Sequence, residues 1–200
     1  MQPTLFSKKE ILTLNEDSFF RTKKIVTEKI FHQFSETVSA IQSTPSFKKI
    51  SFQKGTDITT GKISKGENYL GLPFIILDFP RLFSPEKILA FRTMIWWGNF
   101  VSCTLLISGE QVLLAKKNLV NHLSALKKKD VFVCINASPW HHHFETGNFL
   151  SMKSLSKQDA ASILANLVFV KVARKIPVSE INRLQKFSAE SFELFSKLLL

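Results

Sequence analysis

Between residues 16 and 42, the apolar side chains Phe19, Phe20, Val26, Ile30, Phe34, Val38 and Ile41 recur at three- and four-residue intervals. That spacing draws one apolar stripe along a helix and leaves Lys and Glu on the opposite face. Such a helix is roughly 40 Å long at 1.5 Å per residue, and it cannot bury its own stripe. The rest of the chain must supply a matching surface. Asn15 is the expected N-cap, and Ser43-Thr44-Pro45-Ser46 ends the helix.

After residue 47 the pattern shortens to β-like runs separated by turn residues. Gly55, Gly61, Gly66 and Gly71, four of the seven glycines, fall here. Leu72 to Phe79 is apolar on both faces, which predicts a central strand ending at Asp78 and Pro80-Arg81. Ser84-Pro85-Glu86 has the order N-cap, N1 and acidic first turn, predicting a short helix to Ala90. Arg92–Trp97 and Phe100–Ile107 read as a hairpin joined through Gly98-Asn99. A helix is expected from Glu110 to Lys128, then a strand from Val131 to Asn136. Ser156 with Asp159 forms a capping pair for a helix from Lys157 to Lys175. Ser179 is expected to cap a last helix.

These readings give an α+β fold: a mostly antiparallel sheet covered by helices, with a long N-terminal amphipathic helix and a C-terminal helical pair. At 200 residues and 44% hydrophobic content the expectation is one domain over 1–200. It divides into the N-terminal helix (15–42), a sheet-rich core (47–150) and the helical pair (157–200).

The expected location is cytoplasmic. No run reaches the ~18 apolar residues of a spanning helix, and Met1 to Phe6 lacks the signal-peptide pattern. Cys103 and Cys134 sit in apolar strand-like contexts and read as free buried thiols. The net charge is +11, which favours an acidic protein or nucleic acid as partner. The 27 basic residues are mostly Lys rather than the Arg of bidentate recognition. They form short clusters spread along the chain: Lys8-Lys9, Lys23-Lys24, Lys48-Lys49, Lys116-Lys117 and Lys127-Lys128-Lys129. Nineteen Phe supply a core, and their excess could leave an apolar patch for another subunit, including a homo-oligomer.

Candidate chemistry concentrates in Trp140-His141-His142-His143-Phe144-Glu145. If this stretch is a strand, alternation puts His141, His143 and Glu145 on one face, a ligand set suited to a divalent metal. The His-x-His start resembles the double-stranded β-helix (cupin) pattern. Glu145 follows too closely, however, and the distant third His of that pattern has no counterpart, so no function is carried over. Asp78, Arg81, Arg92, Trp96 and Trp140 are the other candidates. Asp78 would serve as an acid–base group at a strand end, and Trp96 or Trp140 with Arg81 or Arg92 would wall an aromatic-cationic pocket. Phosphate loops, dinucleotide turns, nucleophile elbows, His-Glu-x-x-His and Cys-x-x-Cys are absent from the sequence. That disfavours the enzyme classes they mark. Two readings follow. The first is a binding or interaction protein with a basic, Phe-rich surface. The second is a small enzyme or metal-binding protein with a site around His141–Glu145.

Overall fold

The stripe on the long helix finds its facing surface at the far end of the chain. The computed structural model describes residues 5–200, so Met1 to Thr4, part of the signal-peptide argument, lie outside the described residues. Three helices come first: α1 (Lys8–Leu14), α2 (Asp17–Gln42) and α3 (Pro45–Lys49). A meander follows: β1 (Lys62–Tyr69), β2 (Leu72–Phe83), β3 (Ile88–Trp96) and β4 (Phe100–Ser108). Then come α4 (Val112–Asn121), α5 (Leu123–Lys127), β5 (Phe132–Cys134), β6 (Phe149–Ser151), α6 (Lys157–Ala165), β7 (Phe169–Pro177) and α7 (Leu184–Phe195). The strands form one sheet in the order β1-β2-β3-β4-β7-β5-β6, each neighbouring pair antiparallel. The α+β class and the long N-terminal helix are as the sequence predicts.

Strand alternation sorts the sheet into two faces. One face presents Ile75, Leu77, Phe91, Ile95, Cys103, Leu105, Val170 and Val172 to the helices. There α2 buries Ile30, Phe34, Thr37 and Ile41, opposite Leu184, Phe187, Phe192 and Phe195 of α7. Each such Phe or Leu contributes about 1.5–3 kcal/mol by leaving water. The other face carries Ile76, Met94 and Trp96 in one cluster and Leu106, Cys134, Phe149 and Phe169 in another. A polar row runs between them.

Several boundaries differ from the sequence reading. Asn15 closes α1, and Glu16 stands at the N-cap of α2. The predicted β-like stretch begins instead with α3, which Thr44 caps with Pro45 at its first position. β2 runs past Pro80 to Phe83; Pro80 falls in the register shift between Asp78 and Arg81, where no ladder bond asks for its missing N–H. The helix expected over 84–90 is a tight turn. The Ser84 amide donates to the Lys87 carbonyl at 3.0 Å, and the Ser84 hydroxyl accepts from the Lys87 amide at 3.1 Å. Ser-Pro opens such turns as readily as helices. The β3–β4 hairpin forms as expected, with Gly98 at φ +71°.

The helix expected from 110 to 128 is broken at His122 into α4 and α5. The predicted strand over 131–136 shrinks to β5. Residues 140–145 are not a strand but part of an irregular loop. The largest difference is at 157–175. The Ser156–Asp159 capping box starts α6, but the helix ends at Ala165 and β7 follows, lying between β4 and β5. The C-terminal helices are therefore separated by a central strand. Val178–Arg183 forms a 3-10 turn, and Arg183, not Ser179, precedes α7. Among the described residues no helix is long and apolar enough to cross a membrane.

Candidate functional site

The polar row follows from strand register. Asp78 pairs with Arg92, Arg92 with Thr104, and Thr104 with Ala173 across β2, β3, β4 and β7. One step along, Ala90, Leu106 and Lys171 share a row. The loop over 135–148, joining β5 to β6, lies across these rows and places its own backbone against them.

Asp78 is 5% exposed. It accepts two hydrogen bonds from Arg92, Nε to Oδ1 at 2.7 Å and Nη2 to Oδ2 at 2.9 Å. This bidentate fork compensates both buried charges. The remaining guanidinium nitrogen, Nη1, lies 3.1 Å from His142 Nε2. Arginine keeps its protons, so Nε2 accepts, and the ring proton is assigned to Nδ1. Burial, reinforced by the Lys171 and Arg92 charges, pushes the His142 pKa down to about 2. His142 is thus a neutral acceptor throughout the ordinary pH range.

Lys171 is 1% exposed. Its ammonium donates to the carbonyls of Pro139 at 2.7 Å and His141 at 2.6 Å and sits 5.0 Å above the Phe149 ring. Burial lowers its pKa to about 8, the Cys134 thiol opposes that shift, and the Arg92 charge adds to it. Tyr69, the single tyrosine, reaches the loop from β1. Its hydroxyl accepts from the His142 amide at 2.6 Å and the His143 amide at 3.1 Å. The buried Asn148 donates its side-chain amide to the His143 carbonyl. Sheet side chains therefore satisfy backbone groups of the loop that would otherwise be costly to bury.

Of the candidates read from sequence, the fold brings Asp78, Arg92 and Trp140 to one place. A cavity of about 10 Å³ lies there, lined by Phe83, Arg92, Thr104, Trp140, His142 and Lys171 among others. It has room for about one water-sized group. Trp140 is half exposed and stacks on Phe83 at 6.5 Å. Arg81 turns away to Asp57, 3.3 Å from Nε to Oδ2. Trp96 is buried between Tyr69 and Phe100, with centroids 5.1 and 5.3 Å away.

The His141 and His143 rings are 5.6 Å apart, and His143 Nδ1 lies 3.9 Å from an oxygen of the exposed Glu145. Among the described residues, no group of three or more His, Cys, Asp or Glu side chains is placed to hold a metal ion. Cys103 is buried, its pKa raised to about 11, and burial also raises that of Cys134. Neither is set up as a thiolate.

Sequence reasoning missed Lys171, His142 and Tyr69. A lone Lys inside Phe169–Ala173 was the available signal for the first. For His142 the expected alternation selected the wrong histidines.

The lowered His142 value has a pH consequence. Its folded value lies below the ordinary 6.5, so on acidification the unfolded chain takes the proton first. The stabilisation is complete above pH 6.5 and is lost progressively as pH falls towards 2. Thermal unfolding between pH 6.5 and 4.5 should show a falling midpoint, with a shallower fall in His142→Gln. Equal slopes in the two proteins would show that His142 carries no such linkage.

A second surface lies at the N-terminal helices. Leu5, Phe6, Ile11, Leu12, Leu14, Phe19, Phe20 and Ile25 are 48–85% exposed, and α1 buries none of its residues. The stripe of α2 packs on α7 only from about Val26 onward, so α1 and the first turns of α2 form an arm, tied to β1 through the ion pair of Lys23 with Glu67. Lys9, Leu12, Thr13, Glu16 and Phe19 line an open groove of about 390 Å³ on this arm. Comparison with protein-family models, curated proteins and solved structures gave no match.

Proposed function

We propose that this protein is an interaction module in which the sheet and its helices form a platform and the arm is the docking element. One observation carries the reading: the arm displays eight large apolar side chains while α1 buries nothing of its own. Exposed apolar patches of this kind are typical of surfaces that meet another macromolecule. A seven-residue helix is also marginal in water by itself, so an occupant on the arm would stabilise α1 as well as be held by it.

The basic charge is a weaker guide. The lysine clusters fall on α1, α2, α3, α4 and the end of α5, and local helix-end roles account for some of them. An enzyme built around Arg92, Trp140 and Lys171 would need the loop over 135–148 to lift, because the cavity beneath Trp140 takes about one water.

The test is a photo-crosslinking residue at Leu12 in the full chain, compared with one at Leu113, which is 78% exposed on α4. Activation in the native cell should give discrete adducts from position 12 and background from position 113. Equal yields from both would refute the arm as a docking element.

A further inference from the structure

We propose that the occupant of the arm is a second copy of this chain, docked antiparallel about a two-fold axis beside Leu12 and Thr13. The inference rests on the reading of the arm as the docking element and names its partner.

The residue pattern of the arm is its own complement when read backwards. In an antiparallel pair centred between residues 12 and 13, Leu5 falls opposite Phe20 and Phe6 opposite Phe19. The same centre sets Lys8 opposite Asp17 and Lys9 opposite Glu16. Two apolar pairs thus flank the axis, where Leu12 faces Thr13, and a basic pair meets an acidic pair. An isologous interface requires this property, since residue i of one copy contacts j of the other and j contacts i. Each charge pairing occurs twice.

The groove on the arm has the same symmetry. Its lining residues Lys9, Leu12, Thr13, Glu16 and Phe19 exchange among themselves under that pairing, apart from Phe19, whose counterpart is Phe6 of the second copy. Phe6 is 69% exposed and lies just before α1, so it is available to enter the second copy's groove beside Phe19.

The experiment is sedimentation velocity on the full chain from 1 to 100 µM, with circular dichroism as a control for folding. The wild-type protein should sediment at twice its 22.8 kDa at the upper concentrations. Leu12→Asp should sediment as a monomer with an unchanged spectrum. Two charge-reversal variants then test the register. Lys8→Glu/Lys9→Glu alone and Glu16→Lys/Asp17→Lys alone each place like charges opposite one another, and each should weaken association about tenfold to a hundredfold. An equimolar mixture of the two restores opposite charges at every pairing and should recover the dimer.

A wild-type monomer at 100 µM overturns the proposal, whether or not the arm binds anionic vesicles. A dimer that persists in Leu12→Asp also overturns it, because association would then use another face. The arm reading fails separately, through equal crosslinking at Leu12 and Leu113. Adducts from Leu12 to a different protein would keep that reading while removing the second copy.

Discussion

Asp78→Ala is expected to lower folding stability by about 3–5 kcal/mol, among the largest effects available to one substitution here. The carboxylate is 5% exposed and holds Arg92 through two short hydrogen bonds. Removing it leaves a guanidinium under the loop with His142 Nε2 as its remaining side-chain partner. The cost arises from the stranded charge rather than from the lost attraction. The same reasoning predicts that Asp78→Leu combined with Arg92→Met recovers most of the loss, since no unpaired ion remains. Urea denaturation of the single and double variants reads both outcomes. A single variant within 1 kcal/mol of wild type would mean that Arg92 finds water when Asp78 is gone, and that the loop does not seal the row.

Phe192→Ala is expected to cost about 3–5 kcal/mol by opening a cavity where α7 meets the sheet. Phe192 is 1% exposed. Its ring meets Phe91 of β3 edge-on at 5.3 Å and Phe47 of α3 at 5.8 Å. Truncation therefore removes both the transfer free energy of the ring and the contacts of two neighbours that cannot follow it. The surface exposed on unfolding is nearly unchanged, so the urea midpoint should fall without a change in slope. A changed slope would signal that α3 or α7 has come loose rather than that a void has formed.

How much of this was legible in the sequence depended on whether a segment had one wet face or a turn signal beside it. α2 was readable because half of it faces solvent; the β3–β4 hairpin, buried on both faces, was readable from its β-branched and aromatic runs on either side of Gly98. β7 was not readable. Phe169 to Ala173 is buried on both faces, so no alternation marks it, and the capping box of α6 extended the helical signal into it. Lys171 therefore fell inside the expected helix rather than on a buried strand. Part of the arrangement was visible: Arg92 holds Asp78 and lines the cavity beside Trp140. The groups that join them were not visible, because His142 and Arg92 are fifty residues apart and Tyr69 contacts the loop across seventy. Contacts that distant arise from sheet order, which no local pattern encodes. The arm differs again, since its exposed Phe19 and Phe20 continue the same stripe as the buried Ile30 and Phe34. Periodicity states where a stripe points, not where the molecule beneath it ends.

The place of β7 in the sheet bears on how the chain assembles during synthesis. The four strands from residue 62 to 108 are joined by short hairpins and can zip together as soon as they leave the ribosome. The β5–β6 pair comes next, but its neighbour in the sheet is made later. Until residues 169–177 emerge, β4 and β5 each present a row of unpaired amides and carbonyls, the kind of edge that recruits other chains. One late strand then closes both edges in a single step. A nascent chain that stalls between residues 151 and 169 would hold two unfinished half-sheets, and that interval is when the protein is most exposed to aggregation or chaperone capture.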